Sequence, residues 1–596
     1  MTSRLATHHV RATLLSTISL LAVALLFAAS ANAQSGPQGG SANACPGDNG
    51  GLTLSPGFCA TVFADNIGHV RHMVVAPTGA LYVNTWSGRY FHSDTPPAGG
   101  FLVALKDTTG NGKASDIQRF GDGVPQGSAG GSGIGLYDGA LYAEQNDKII
   151  RYALPQDTLV PKGPPLVVVS GLPLTGDHPM HPFIIDPKGQ LFVDLGSATN
   201  SCQIENRMPN SLGHQPCTEL ETRAGTWRYD ANKTDQHFSP AERYLTGLRN
   251  GEGFAFDSSG RLLATMHGRD QLAQNFSKLY TSQQSAREPA EELVVTQQGA
   301  DYGWPECYFD REQNKLVLAP EYGGDGGKKV GVCAEKTAPI AAFPGHWAPN
   351  DLVIYSAKAF PAGYQGGAFI AFHGSWNRAP EPQGGYNVVF QPLKDGKAAG
   401  NFIVFADGFA GPVKEPGQAA FRPTGLAMAP DGALFISDDV HGRIWRVTFH
   451  GSADTAVAPA PAPAVATASS AQPGPPEGVH PDAGRPSPAS LPVPPGATKE
   501  QVALGDRIYH GEAADGTCAG CHGSNAQGGP QAPSLVKGNW LIGDGSLKSI
   551  TETIADGVPK PRNYEVPMPP KGGSPLSDSD VAAVAAYVWA IGHNRS

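Results

Sequence analysis

The chain has no run of basic residues, no apolar stretch beyond its N-terminus long enough to cross a bilayer, and no G-x-G-x-x-G that follows a strand to open a helix. Each absence excludes something. Without a basic run, and with a formal charge of −10, nucleic acid is not an expected partner. Without a second apolar stretch, the mature form is expected to have no stable membrane span. Without the dinucleotide fingerprint, a nicotinamide or flavin site has no support. Methionine is also scarce, at 7 residues, and Met568 is the only one after Met428.

The N-terminus supplies what the rest lacks. Arg4 and Arg11 precede an uncharged, mostly apolar stretch from Leu14 to Ser30, and Ala31-Asn32-Ala33 gives a small-x-small cleavage pattern. Residues 1–33 therefore read as a signal peptide cleaved near Ala33, and the protein as periplasmic or secreted. A retained anchor is the rival, but the apolar run is short for a span and ends in small residues. Losing Arg4 and Arg11 moves the charge from −10 to −12. Six of the 8 cysteines, Cys45, Cys59, Cys202, Cys217, Cys307 and Cys333, fall into three sequence-local pairs. Disulfides 45–59, 202–217 and 307–333 are the simplest pairing in an oxidising compartment, with free buried thiols as the alternative.

Glycine (75) and proline (52) are abundant and favour turn-rich β structure plus a linker. Residues 451–496 are rich in Pro, Ala and Ser and read as a semi-extended tether. The tether separates a large domain, 45–450, from a small one, 497–596. The large domain repeats one signature, a turn glycine followed by an apolar strand: Gly79, Gly139, Gly189, Gly260, Gly367 and Gly432. Six copies at blade-like spacing predict a mainly β fold, a six-bladed β-propeller, with a β-sandwich as the rival. The widest gap, from Gly260 to Gly367, is expected to hold an insertion with Cys307 and Cys333. The small domain reads as all-α. Thr498 to His510 and Ser577 to Ile591 have helical patterns, the second with Ser577 as N-cap and Asp580 three residues on. Between them lie Cys518-Ala519-Gly520-Cys521-His522 and a Gly/Pro-rich loop.

That C-x-x-C-H spacing lets two thiols add to the vinyl groups of one haem while the adjacent His ligates iron. A covalent haem c through Cys518 and Cys521, with His522 as iron ligand, is the reading. Met568, 46 residues beyond His522 in a proline-stiffened loop, is the candidate sixth ligand; mere packing is its alternative role. From Thr498 to the end the chain resembles class I cytochrome c domains.

A tethered haem implies electrons arriving from the large domain, and a two-electron organic cofactor there to collect them. Residues 55–450 resemble the soluble pyrroloquinoline quinone (PQQ)-dependent sugar dehydrogenases, the aldose and sorbosone group. Gly247-Leu248-Arg249-Asn250 followed by Gly253-Phe254-Ala255-Phe256-Asp257 matches the family's R-N…G-x-A-F-D segment. His373-Gly374-Ser375-Trp376-Asn377-Arg378 and Arg422-Pro423-Thr424-Gly425 match its later cofactor-facing turns. Gly176-Asp177-His178 stands where the family places its catalytic His. The resemblance implies PQQ held by Arg249, Asn250, Arg378 and Arg422, with His178 as general base. It also implies calcium on the backbone carbonyls of Gly268 and Arg269. A tricarboxylate suits converging arginines, and a near-neutral His suits proton removal from a sugar hydroxyl.

His181 and His373 compete with His178 for the role of base. Two departures from the family pattern, Glu252 in place of Gln and no counterpart near Trp376 of the lysine found in glucose-specific members, argue against glucose as substrate. The expected partners are a sugar or aldehyde and a downstream electron acceptor, a cytochrome or an oxidase. Two other functions stay open: a lactonase-like propeller hydrolase, which would give the haem no electrons, and a non-enzymatic binding propeller. The loop Asp107 to Gly112 resembles a calcium loop faintly, but its twelfth position is Gln118 and no EF-hand is expected.

Overall fold

A computed structural model describes residues 45–594 except 46, 86, 89–97, 122–127, 130, 155–157, 379–380, 413, 415–418, 452–486, 512, 515, 517, 523–525, 527, 529–531, 537 and 565–566. The expected signal peptide at 1–33 and most of the expected linker at 451–496 thus lie outside the described residues. Cys45–Ser596 forms one compact unit.

Six sheets of four or five strands, antiparallel except where the short strand Gln236–His237 joins Leu166–Ser170 in parallel, follow one another along the chain. Their innermost strands are Val70–Val75, Ile134–Tyr137, Phe183–Ile185, Phe254–Phe256, Pro349–Ile354 and Pro423–Met428. Each packs on the next, and the last packs on the first, so the ring closes as a six-bladed propeller. A strand from the N-terminal end also closes the ring by hydrogen bonding: Phe58–Ala64 completes the sixth blade against Ile444–Phe449. The six predicted hairpins are these six blades. Each marks the turn between the first and second strand, with Gly79, Gly139, Gly189, Gly260 and Gly432 at positive φ. In the fifth blade Gly366, not Gly367, takes the positive φ.

The packing follows from the period of two along a strand. In Gln190–Leu195, Leu191 and Val193 enter one core with the second blade, while Phe192 enters another with the fourth. Six such cores lie between successive blades. A strand buried on both faces reads as a continuous apolar run, as in Ala368–Phe372, all buried. Between blades five and six the core is aromatic, with Phe58 edge-on to Phe360, Tyr364 and Phe405. The widest gap does hold an insertion, the hairpin Cys307–Asp310 with Lys315–Leu318. The disulfides are 45–59, 202–217 and 307–333, the predicted pairing.

The small domain is helical. Lys499–Tyr509 and Asp578–Gly592 carry capping boxes at Thr498/Gln501 and Ser577/Asp580. They pack closely because Gly505 has no side chain: a Cβ there would stand 2.0 Å from the Ala583 carbonyl oxygen. A third helix, Leu547–Asp556, corrects the reading of this stretch as loop; Ser546 caps it, and Ile550 and Ile554 are buried. Among the described residues no helix is long and apolar enough to cross a membrane.

Candidate functional site

Because strands alternate in direction, the chain enters each innermost strand on the propeller face opposite the six glycine turns. The loop between second and third strands opens on that same face. His178, Arg249, Asn250 and Arg422 lie on entry segments; Gly268, Arg269 and Arg378 lie on second-to-third-strand loops. The sequence-predicted residues are therefore all on one face.

His178 is half-buried, and its Nδ1 donates to the Ser197 carbonyl at 2.8 Å. That bond fixes the tautomer and leaves Nε2 with its lone pair. Burial, and next the charge of Arg249, hold the imidazole well below its usual range, so it is neutral. His178 and Asn250 approach closely over Gly196, where a Cβ would stand 2.6 Å from both the Asn250 Oδ1 and the His178 Cβ. Asn250 Oδ1 is buried and has no hydrogen-bond partner among the described residues.

Arg249 donates to the Asn200 carbonyl at 3.0 Å, to the Gly268 carbonyl at 2.9 Å and to Asp270 at 3.2 Å. Asp270 also accepts from Arg207 at 3.1 Å and from Asn377 at 3.0 Å. Burial alone would raise Asp270, but His346, Arg207 and Arg249 hold it well below the usual carboxylate range. Gly268 O is thus engaged by a guanidinium, which a cation on the Gly268 and Arg269 carbonyls would have to share. Arg269 itself bonds to the Asp270 carbonyl and pairs with Glu321.

Across the face Arg422 donates to the carbonyls of His373 at 3.1 Å and Gly374 at 2.7 Å, and sits over the Tyr386 ring. His373 bonds Asp439 at 2.8 Å, and Asp439 accepts from Arg71 at 2.8 Å. Burial, and next Arg422, push His373 down to about 4. Burial would raise Asp439, yet His373 and Arg71 hold it far below the usual range. Arg71 lies 3.6 Å from Glu252, two residues from Asn250.

Arg378 does not join this network. Its guanidinium bonds the carbonyls of Ala286, Gly345 and Pro382. His181 is fully buried, bonded to the Pro173 carbonyl and 3.2 Å from Glu144, a structural place. Arg71, Asp270, Asp439 and Arg207 were not singled out from the sequence. Arg71 had a usable signal: it precedes Gly79 by 8 residues, the kind of entry position that Arg422 holds before Gly432.

The residues present fit an anionic, carbonyl-bearing group. Nη1 of Arg422 has no partner among the described residues and is left to donate to such a group, while the unpaired Oδ1 of Asn250 is an acceptor and is left for an N–H or O–H of the group or of its substrate. In the small domain, His522 donates through Nδ1 to the Pro533 carbonyl at 2.9 Å, which leaves Nε2 to face a metal. Met568 pairs its backbone with Val558 and packs on the helical core.

Residues 52–450 match the family model described as TrAA12-like, and residues 502–592 match cytochrome c. A PQQ-dependent pyranose dehydrogenase of Coprinopsis cinerea is 27% identical over 237 residues, 33% of this chain and 30% of that protein. The cbb3-type cytochrome c oxidase subunit FixP of Rhizobium etli is 39% identical over 82 residues, 13% of this chain and 28% of that one. The chain spans less than half the length of the curated relatives it matches. The structure of a Trichoderma reesei carbohydrate-active enzyme of family AA12 superposes with a TM-score of 0.53 at 19% identity, covering 67% of this chain and 98% of that one.

Proposed function

We propose, for a chain that belongs to the TrAA12-like family over residues 52–450 and carries a cytochrome c domain over 502–592, that it is an exported quinohaemoprotein oxidising a sugar or sugar-derived aldehyde. The observation that carries the reading is the neutral His178, locked on Ser197, standing with Asn250 over Gly196 and within the charge reach of Arg249, on a chain with a covalent-haem motif. Arg249, Asn250 and Arg422 would hold PQQ, Arg422 through Nη1, and Arg378 would act by bracing the loop beside them. PQQ, when bound, supplies a two-electron acceptor for hydride. His178 Nε2 takes the hydroxyl proton of the substrate. Asp270 fixes Arg249, and Asp439 fixes His373 and Arg71. His522 and Met568 would hold the iron of a haem on Cys518 and Cys521, and that haem, when bound, would supply a one-electron carrier between the propeller and an external cytochrome or oxidase. Calcium on Gly268 and Arg269 belongs to the same proposal. Periplasmic or secreted placement rests on the signal-like segment before Ala33 and on disulfides that suit an oxidising compartment.

The test loads purified haem-containing protein with PQQ and calcium and follows haem reduction over a panel of sugars and aldehydes. Reduction by at least one sugar, dependent on PQQ, is expected. A loaded protein that no sugar or aldehyde reduces would sink the reading.

A further inference from the structure

The haem domain touches the propeller at the site face. Gly573 of the haem domain abuts the propeller helix Leu272–Asn275: a Cβ on Gly573 would stand 3.4 Å from Gln271 Nε2 and 3.7 Å from Gln274 Cβ. Gly511, just after the first haem-domain helix, would place its Cβ 3.7 Å from Gln383 Nε2 and from the Trp376 carbonyl oxygen. These propeller residues are neighbours of the site. Gln271 follows Asp270, and its Oε1 accepts from Arg207 at 3.0 Å. Trp376 precedes Asn377, which donates to Asp270. Arg207 pairs with Asp177 at 2.7 Å and Asp270 at 3.1 Å, and Cys521 of the haem motif lies within the electrostatic reach of all three.

We propose that Arg207, Asp270, Gln271, Trp376 and Gln383 mark the seat on which the haem domain docks. Arg207 is the positioning residue that sets the haem-bearing helix beside the propeller site. One carboxylate oxygen, Asp270 Oδ2, holds both Arg249 and Arg207. Arg249, Asp270 and Arg207 are thus consecutive bonded residues that lead from the candidate quinone site towards the haem attachment, with Cys521 within electrostatic reach of Arg207. Seat and reaction stand apart: the purpose of docking rests on the function proposed above, but its geometry does not.

The test traps the contact in full-length, haem-loaded, PQQ-free protein. Gln274→Cys with Gly573→Cys sets two Cβ atoms 3.7 Å apart, within the roughly 3.5–4.5 Å of a disulfide. After oxidation and limited proteolysis in the linker, haem stain on a non-reducing gel is expected to stay with the propeller and to leave on reduction. Each single variant is expected to release it without reductant. A double variant that releases the haem fragment, with both thiols still alkylatable, overturns the seat.

Gly573 has a φ of 78°, and a side chain there is strained. A second measurement therefore reads the haem midpoint potential. Arg207→Met removes the cation and leaves Asp177 and Asp270, so the potential is expected to fall; Arg207→Lys is expected to restore most of it. Equal potentials in wild type, Met and Lys proteins would overturn the placement of Arg207. Sugar-driven haem reduction without a trapped band would discard the seat and keep the reaction. A trapped band without sugar-driven reduction would keep the seat and discard the reaction.

Discussion

The haem domain gathers its haem-attachment thiols and one candidate iron ligand within five residues on one short helix, Cys518–His522, whereas the propeller gathers its site from loops between Arg71 and Asp439. In the first case, local geometry alone sets thiol, thiol and imidazole. The second depends on the ring: Arg71 and Asp439 meet only because Phe58–Ala64 closes the sixth blade against Ile444–Phe449. A contiguous site survives as long as its helix does. A dispersed one inherits the stability of the whole propeller, and its charges must be balanced pair by pair, as Asp270 is by Arg207 and Arg249.

The largest expected effect is all-or-none and falls on the contiguous side. Replacing Cys518 and Cys521 by Ala should remove covalent haem completely, with the propeller still folded. Haem stain on a denaturing gel reads the first, and intact disulfides 45–59, 202–217 and 307–333 by mass spectrometry read the second. Loss of propeller disulfides in that variant would break the contrast, because the two halves would then depend on each other.

On the dispersed side, His178→Ala should keep bound PQQ and lose sugar-driven haem reduction by roughly 10²–10⁴-fold. Arg249→Ala should instead weaken PQQ retention, since its guanidinium joins Asn200, Gly268 and Asp270 at once. Equilibrium dialysis separates the two outcomes. If His178→Ala turns over normally with full PQQ, the base is another residue.

What could be read beforehand follows the same divide. Capping boxes, the C-x-x-C-H spacing and the turn glycines are local patterns, and the structure bears out the helices at both ends of the small domain and all six hairpins. The helix Leu547–Asp556 was hidden because Gly543, Gly545 and Gly557 flank it and read as loop. Arg71, Asp270 and Asp439 belong to no motif; a buried ion-pair network is a tertiary property and leaves single residues in the sequence. The three arginines share a face, as their positions beside turns implied. Where each guanidinium points was not legible, and Arg378 turns to backbone carbonyls.

A smaller effect probes packing on the contiguous side. Gly505→Ala pushes a methyl into the Ala583 carbonyl and the Tyr587 side chain, at 2.0 and 2.9 Å from the Cβ position. Overpacking of this kind costs about 1–3 kcal/mol. Thermal melting followed at the haem should shift down while the propeller transition stays in place. A joint shift would mean that the docked domains unfold together, which would sharpen the comparison into a single cooperative unit.

The smallest expected effect, a rate that stays level where a free imidazole would lose activity, concerns pH. An unperturbed imidazole, with a pKa of about 6.5, would be mostly protonated at about pH 5.5 and would lose roughly tenfold in activity as a base. His178 is held well below that value, first by burial and then by the Arg249 charge; His267 pushes the same way, while the Ser197 carbonyl and Asp270 oppose it. His267 is itself driven down to about 3, by burial and then by Arg249, so it adds no charge at this pH. The sign is therefore fixed. The base form persists below about pH 6.5, and kcat/KM for a reducing sugar should stay flat through that range. The same depressed value makes neutral burial a stabilising term, fully present above about pH 6.5 and lost as pH falls towards the folded-state value. Circular dichroism at each pH must therefore accompany the rates, so that unfolding is not mistaken for titration. An acid limb centred near pH 6.5 in folded protein would show His178 to be solvated, and the dispersed site would then be open to water where the structure closes it.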